Sequence, residues 1–168
     1  MTGVVEAVRA VAASVPDPEL PPLTLADLGV LRSVSLDAES GAVLVTITPT
    51  YSGCPAVEAM RADLVSRLSS AGYRDVRVRV ALSPAWTTDW ITEEGRRKLT
   101  DAGIAPPGRV GPRPAGPVPL VLEPTRRPVP CPQCGGGSVE LSRFGSTPCK
   151  SLRRCTSCGE PFEHLKEL

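Results

Sequence analysis

The sequence predicts an α/β (α+β) protein built from two small domains. Helical and strand-like apolar patterns alternate over residues 1–103, nine of the 19 prolines crowd into residues 104–130, and four of the six cysteines form two CxxC pairs near the C-terminus. We expect a domain with a three-stranded mixed sheet and packed helices over residues 1–103. A Pro/Gly-rich linker over residues 104–129 should join it to a β-ribbon, held by four cysteines, over residues 130–168.

The bulk composition excludes several classes of protein. Of the 168 residues, 41% are hydrophobic and 22% are charged, as in ordinary globular domains. The net charge of +1 gives no large field for nucleic acid or an anionic membrane. The sequence has no run of about 18 apolar residues, and its N-terminus has no basic segment followed by an apolar core. We expect a cytoplasmic protein that binds neither membrane nor nucleic acid.

The first element is a helix over residues 3–14, because valines recur at helical spacing until a proline interrupts them. Residues 17–22 are too rich in proline for regular structure. They are interpreted as an ordered loop that carries two carboxylates, Asp17 and Glu19. A short turn that ends at Gly29 should follow.

Two strands, a helix and a third strand come next. Alternating apolar residues predict strands over 30–36 and 42–48, joined by a glycine-containing turn into a hairpin. An apolar stripe of helical period predicts a helix over 55–70, and the alternation of valine with arginine predicts a strand over 76–82. Because a strand, a crossover helix and a strand form a right-handed parallel pair, the sheet should be mixed.

Cys54 is the only cysteine of the first 130 residues, and it lies between the second strand and the helix. Pro55 suits a first helical position, which makes Cys54 the expected N-cap residue. A thiol at that position faces the positive end of the helix dipole, so its pKa is expected to fall. The alternative is a small buried side chain at a turn, a common state of free cysteine.

Both tryptophans, Trp86 and Trp90, follow the third strand. They either close the edge of the core, as large aromatic side chains usually do, or form a lid or partner surface beside the cysteine. A helix is expected over residues 93–99, with Thr88 or Asp89 as its cap.

The two CxxC pairs are separated by 20 residues and predict a tetrahedral metal site. Each pair presents two thiolates on a tight turn, and a glycine after the second cysteine lets backbone N–H groups turn toward sulfur. The expected ligands are Cys131, Cys134, Cys155 and Cys158. A structural zinc ion is favoured, because a segment of about 40 residues needs such a staple to fold. Iron in a rubredoxin-like site, or a cluster bound in transit, is the alternative.

The remainder of the C-terminal segment is compatible with a β-ribbon, with strands expected over residues 138–144 and 149–154. Cys149 is a fifth thiol in this domain and is interpreted as a bystander. His164 is the only histidine of the chain and is interpreted as a polar surface residue rather than as a metal ligand.

Several motifs carry a family resemblance. They are Asp17-Pro18-Glu19-Leu20-Pro21, Leu28-Gly29-Val30, Thr48-Pro49-Thr50-Tyr51-Ser52-Gly53-Cys54-Pro55 and Leu82-Ser83-Pro84. Together they resemble the iron-sulfur assembly family that includes SufT and the eukaryotic cytosolic iron-sulfur targeting factors. With the tryptophan segment and a ribbon that contains Phe-Gly-Ser-Thr and Glu-Pro-Phe, the chain is also similar to the PaaD-like accessory proteins of phenylacetyl-CoA epoxidase systems.

This resemblance implies an accessory protein, not an enzyme, for maturation of a multicomponent phenylacetyl-CoA epoxidase. It implies delivery of a transient iron-sulfur cluster or iron through Cys54 as the reactive cysteine, with Asp17 and Glu19 in the signature loop and Thr50 and Ser52 in the same site. The implied partners are the oxygenase or reductase subunits and the iron-sulfur assembly machinery. A homodimer would bring two such thiols together.

Three other functions are open. By the same resemblance, a non-catalytic adaptor would use the ribbon to dock the oxygenase or reductase. A thiol enzyme would use Cys54 as a nucleophile, but only Tyr51, Asp17, Glu19 or the distant His164 is available as a proton partner. A nucleic-acid-binding ribbon would use the basic residues from position 126 onward, which outnumber the glutamates by seven to four but have few aromatic neighbours for base stacking.

Overall fold

The computed structural model describes residues 2–111 and 128–167, which divide after residue 99 into two compact units. None of the helices in these ranges is both long enough and apolar enough to cross a bilayer. The elements of the first part of the chain are α1 (Thr2–Ala13), β1 (Leu31–Leu36), β2 (Val43–Ile47), α2 (Val57–Ser70), β3 (Val76–Val80), a 3-10 turn (Thr88–Trp90) and α3 (Glu93–Asp101).

The first sheet has the strand order β1-β2-β3. β1 pairs antiparallel with β2, with Val34 opposite Val45, and β2 pairs parallel with β3, with Val45 opposite Val78. α2 is the crossover and packs on β3, while α1 packs against β1 and α2. The predicted three-stranded mixed sheet with packed helices is therefore confirmed.

α2 begins at Val57, two residues later than the periodicity predicts. Its N-cap residue is Ala56, which makes no side-chain cap hydrogen bond. The N–H of Val57 donates to the carbonyl of Cys54 at 3.4 Å, so a tight turn stands between the cysteine and the helix. The prediction that Cys54 caps the helix, with Pro55 in the first helical position, is wrong for this reason.

Residues 15–30 contain no helix or strand beyond an isolated bridge between Pro16 and Thr24, yet they supply much of the core. The segment is fastened by backbone hydrogen bonds such as that from the N–H of Leu25 to the carbonyl of Val15, at 2.9 Å. Its buried leucines are Leu20, Leu23, Leu25 and Leu28. The sequence predicted the ordered loop but not its apolar contribution, because these leucines follow no regular period.

The segment after β3 packs against this loop. The indole Nε1 of Trp86 donates to the carbonyl of Leu28 at 2.9 Å, and Trp86 is only 5% exposed. Burial of this tryptophan in the core is therefore confirmed.

An ion pair joins the same loop to α3. Lys98 Nζ lies 2.7 Å from Asp27 Oδ2. Partial burial of the carboxylate raises the pKa of Asp27, but the hydrogen bond from Lys98 outweighs this and the pKa falls.

α3 takes a different cap from the one predicted. Thr92 Oγ1 accepts a hydrogen bond from the N–H of Gly95 at 2.9 Å, as an N-cap residue does. Thr88 and Asp89 were the expected caps, but both belong to the 3-10 turn that precedes the helix. The side chain of Thr87 caps that turn instead.

The second unit contains β4 (Ile104–Ala105), β5 (Ser138–Ser142), β6 (Lys150–Cys155) and β7 (Pro161–Leu165), in the order β4-β7-β6-β5. The antiparallel β5-β6 pair was expected, whereas β4 and β7 were missed. β4 runs parallel to β7, with Ile104 opposite Glu163. The predicted linker over residues 104–129 is therefore wrong at its start, and residues 112–127 of it lie outside the described residues.

Gly29 provides a test of the packing between the loop and the segment after β3. It has a φ of +69°, and a Cβ added there would lie 2.6 Å from the Cβ and carbonyl oxygen of Trp90. Gly41 has nearly the same φ, +71°, but nothing within 4 Å of such a Cβ. Both alanines incur the left-handed backbone cost of about 1–2 kcal/mol, but only Gly29→Ala also displaces backbone atoms.

We expect Gly29→Ala to lower the free energy of unfolding of the N-terminal unit by roughly 2 kcal/mol more than Gly41→Ala does. Urea unfolding followed by tryptophan fluorescence measures both losses. Equal losses in the two variants would show that the close approach to Trp90 contributes nothing to stability.

Candidate metal-handling site and four-cysteine centre

Three segments of the N-terminal unit meet at one end of the first sheet. β1 begins there, while β2 and β3 end there, because β1 runs antiparallel to the other two strands. The N–H of Thr48 donates to the carbonyl of Val30, and the N–H of Ala81 donates to the carbonyl of Ile47, each at 2.9 Å. The loop that carries Asp17 therefore leads into β1 beside the point where the Cys54 loop leaves β2.

Cys54 lies just beneath the surface of its loop. The residue is 8% exposed, although its neighbours Gly53 and Pro55 are exposed. Thr50 is half-buried and Ser52 is exposed on the same loop. The structure thus groups three predicted site residues on one loop, with the thiol the most buried of them.

Asp17 shapes the neighbouring loop. It is 4% exposed, and its Oδ1 accepts hydrogen bonds from the N–H groups of Glu19 at 2.9 Å and Leu20 at 2.8 Å. This is the turn geometry that aspartate side chains commonly support. Glu19 is half-buried. The structure explains why an aspartate suits position 17, while a part for either carboxylate in metal handling stays a prediction.

The four cysteines of the two CxxC pairs converge in the second unit. Their sulfur atoms all lie within 4.8 Å of one another, and the sulfurs of Cys131 and Cys158 are 3.9 Å apart. Those of Cys134 and Cys155 are 3.5 Å apart. Four sulfurs placed tetrahedrally at about 2.3 Å from a zinc ion would be separated by about 3.8 Å. The cluster therefore fits a tetrahedral metal ion.

Backbone N–H groups point at the sulfur of Cys155, as the CxxC turn predicts. Those of Ser157 and Cys158 lie 3.3 and 3.4 Å from Sγ. The hydrogen bond from the N–H of Cys158 is the main reason that the pKa of Cys155 falls to about 6. The turn thus favours a thiolate at Cys155 before any metal is bound. For Cys158, a backbone hydrogen bond at Glu160 lowers the pKa, but its hydrogen bonds with the neighbouring thiols outweigh this and raise the pKa to about 12.

The remaining packing of the centre is small. The buried residues around it are Ala105, Val129, Cys131, Cys155 and Phe162. Gly136 lies so close to Ser157 of the opposite CxxC turn that its added Cβ would be 2.8 Å from the Cβ of that serine. The two turns are therefore in direct contact. Within residues 100–111 and 128–167, the apolar cluster at these turns has five members, two of which are the ligand cysteines Cys131 and Cys155.

Cys149 and His164 stand outside the four-sulfur cluster. Cys149 is 5% exposed, and its sulfur lies 3.1 Å from the hydroxyl of Thr147. His164 was expected at the surface but is buried, 7% exposed, with Nδ1 3.4 Å from the hydroxyl of Ser151. Burial and the nearby Arg153 lower the pKa of His164 to about 4. The expectation failed because β7, which carries this residue, was missed.

One ion pair of the ribbon also escaped sequence reasoning. Lys150, with a side chain only 5% exposed, lies 2.8 Å from Glu163. The other oxygen of this carboxylate accepts from the N–H of Ser146 at 2.5 Å. Partial burial opposes the effect, but the hydrogen bond from Lys150 lowers the pKa of Glu163. The pair fastens the loop between β5 and β6 to β7.

Two family models match the chain. Residues 5–80 match the iron-sulfur cluster assembly protein family, and residues 115–166 match the PaaD zinc β-ribbon domain. The first match includes the loops that carry Asp17 and Cys54. The second includes all four cysteines of the metal centre.

Two relatives extend the comparison. A protein of Escherichia coli (strain K12), provisionally named as one of the subunits of 1,2-phenylacetyl-CoA epoxidase, is 40% identical over 163 residues, which cover 96% of this chain and 92% of that protein. A protein of Porphyromonas gingivalis named Fe-S protein maturation auxiliary factor is 33% identical over 84 residues, which cover 49% of this chain and 78% of that protein. The match to this second relative thus covers about half of the present chain.

A solved structure shares the fold of the N-terminal part. The crystal structure of DUF59, a domain of unknown function from Bacillus anthracis, superposes with a TM-score of 0.54 at 25% identity and covers 58% of this chain and 92% of that one. The relative from Escherichia coli covers nearly the whole chain, and the two family matches cover residues 5–80 and 115–166 of it. The chain therefore belongs to the family of proteins that join an iron-sulfur cluster assembly domain to a PaaD zinc β-ribbon.

Proposed function

We propose that the chain is an accessory protein for maturation of a multicomponent phenylacetyl-CoA epoxidase, and that it assists iron-sulfur cluster or iron delivery through Cys54. The proposal is carried by the 40% identity, over 96% of the chain, to the relative named as an epoxidase component. It is supported by the iron-sulfur assembly match over residues 5–80, which contain that cysteine. The metal is the cargo, and its clients are the oxygenase or reductase subunits.

The chemistry required of Cys54 is modest. The thiol loses its proton to solvent water, and the sulfur takes one coordination position of the iron while the donor or client supplies the others. A single thiolate suits transfer better than storage, because the ligands of the partner complete the site. Asp17, Glu19, Thr50 and Ser52 would provide oxygen atoms around it. The partial burial of the sulfur favours release of iron only to a protein that docks at this end of the sheet.

Thiol catalysis is less well supported. The only histidine of the chain is His164, which lies in β7 of the second unit. The N-terminal unit therefore supplies Cys54 with no imidazole base, the usual activator of a nucleophilic cysteine.

An adaptor role is the second candidate function. Three large apolar side chains on and just after β5 are exposed: Val139 at 51%, Leu141 at 54% and Phe144 at 67%. Exposed apolar side chains grouped in this way are typical of docking surfaces. In this case the ribbon would hold the oxygenase or reductase, and Cys54 would be dispensable.

We further propose that the four-cysteine centre holds a structural zinc ion. Cys131, Cys134, Cys155 and Cys158 would fill all four positions of a tetrahedral ion, so no position is left for a reacting molecule. The buried cluster among the described residues of the ribbon is small, and segments of about 40 residues usually need a metal or another staple in order to fold. When bound, the ion supplies cross-links between the two CxxC turns.

Replacement of Cys54 should abolish maturation without unfolding the protein. The test uses cells that express the epoxidase subunits and lack the native chain. In these cells, we expect the Cys54→Ala variant to give the reductase and oxygenase no more iron and acid-labile sulfide than they contain when no chain is supplied. The matched control is Cys149→Ala, which also removes a buried thiol. It should restore wild-type iron and sulfide.

Iron and sulfide at wild-type level with Cys54→Ala would overturn delivery through this residue. Binding of the client by that variant would then assign the adaptor role. Circular dichroism of each purified variant separates loss of function from loss of fold.

Removal of one ligand should release the metal of the ribbon. We expect Cys155→Ser to reduce the metal content from one zinc ion per chain to less than half an ion per chain. The reason is that the apparent binding free energy of structural zinc, about 10–16 kcal/mol, depends on the complete set of ligands. Elemental analysis measures the metal, and hydrogen exchange measures the accompanying loss of protection in β6. Cys149→Ser is the control and should keep its zinc. Iron instead of zinc in the wild-type protein would contradict this assignment.

A further inference from the structure

The outer edge of β3 is open in the described part of the chain, because β3 is the last strand of the first sheet. On its inner side, the carbonyl of Asp75 accepts from Val43 at 2.8 Å, and the N–H of Ala81 donates to Ile47 at 2.9 Å. Backbone groups of alternate residues in a strand point in opposite directions within the sheet. The outward-facing N–H and C=O groups are therefore those of Val76, Val78 and Val80.

The edge of β3 differs from the other sheet edges. β1 and β5 are edge strands, but each has a register irregularity, between Leu31 and Ser33 in β1 and between Glu140 and Ser142 in β5. β4 is only two residues long. Bulges and short strands are the means by which proteins prevent a further strand from pairing with an edge. β3 is the regular edge of full strand length among the described strands, and it has neither protection.

The side chains of β3 form an alternating surface along this edge. Val76, Val78 and Val80 share a face with the buried valines of β2, yet each is only half-buried. Arg77 and Arg79 are exposed on the opposite face. A strand added beside β3 would cover the valines with its own apolar side chains on one face and meet two guanidinium groups on the other.

Charge decides what kind of strand fits. Arg77 makes an ion pair with Asp75 at 2.9 Å, whereas Arg79 makes none with the described carboxylates. A second copy of β3, paired antiparallel about Val78, would set Arg77 of one copy against Arg79 of the other. Like charges directly opposite one another destabilise a strand pair. The edge therefore disfavours its own copy and favours a partner with carboxylates.

We propose that β3 is a docking edge for an extended segment of a partner protein in which carboxylate and apolar side chains alternate. The segment adds as a strand, its backbone bonded to Val76, Val78 and Val80 and its carboxylates opposite Arg77 and Arg79. The proposal does not depend on metal handling by Cys54. If both hold, the docked segment ends at the same end of the sheet as the Cys54 loop.

The test uses the full-length, zinc-loaded chain labelled with ¹⁵N and two soluble peptides. One peptide has three Glu-Val repeats between terminal serines, and the other has Lys in place of each Glu. We expect the Glu-Val peptide to shift the amide signals of Val76, Val78 and Val80 and to slow their hydrogen exchange. The Lys-Val peptide should bind at least about tenfold more weakly.

Two variants separate charge from backbone pairing. Arg79→Glu changes an exposed side chain and should reverse the preference between the two peptides. Val78→Pro removes an outward N–H, which β2 does not use, and should abolish binding while the ladder between β2 and β3 keeps its protection. If Val78→Pro loses the ladder, the charge reversal by Arg79→Glu alone decides the outcome.

Three outcomes would overturn the proposal. The first is the absence of any shift at β3 with millimolar peptide. The second is equal binding of the two peptides, which removes the role of the arginines. The third is protection of the Val76, Val78 and Val80 amides without peptide, together with a dimer in sedimentation, which would assign the edge to a second copy of the chain.

Discussion

The buried backbone N–H and C=O groups of residues 15–30 must find hydrogen-bond partners outside any helix or sheet. The N-terminal unit depends on this requirement being met. The side chain of Asp17 bonds two N–H groups of the loop, and that of Asp27 bonds the N–H of Thr24. The carbonyls of Asp27 and Leu28 take donors from the segment after β3, from the N–H of Thr92 and the indole of Trp86. The loop of residues 15–30 and the segment after β3 thus supply hydrogen-bond partners for one another at the end of the sheet where the Cys54 loop lies.

The parts of the fold that sequence reasoning predicted are those whose burial is periodic or whose ligands are adjacent. Apolar residues recur at regular spacing in the three strands of the first sheet, in α1 and in α2. Each CxxC pair places two expected metal ligands within four residues. The errors have equally physical causes. A tight turn after Cys54 competes with the helix start that Pro55 suggests, and β4 is too short to show a pattern. Contacts such as that between Trp86 and Leu28, 58 residues apart, leave no local signal.

The candidate site was predictable only in part. The sequence placed Cys54 at a turn and grouped Thr50 and Ser52 with it, but the adjacency of the Asp17 loop depends on the antiparallel register of β1 and β2. The two thiol environments also differ in kind. The ribbon gathers four sulfurs within 4.8 Å and can fill all four positions of a tetrahedral metal ion, whereas Cys54 is a single buried thiol on its loop.

The early position of β4 changes the meaning of the proline-rich stretch. Ile104 and Ala105 belong to the ribbon sheet, and Val129 belongs to the buried cluster that includes Cys131 and Cys155. The described residues on both sides of this stretch therefore belong to one unit. A fragment that begins after the stretch would lack β4, the edge strand of its own sheet.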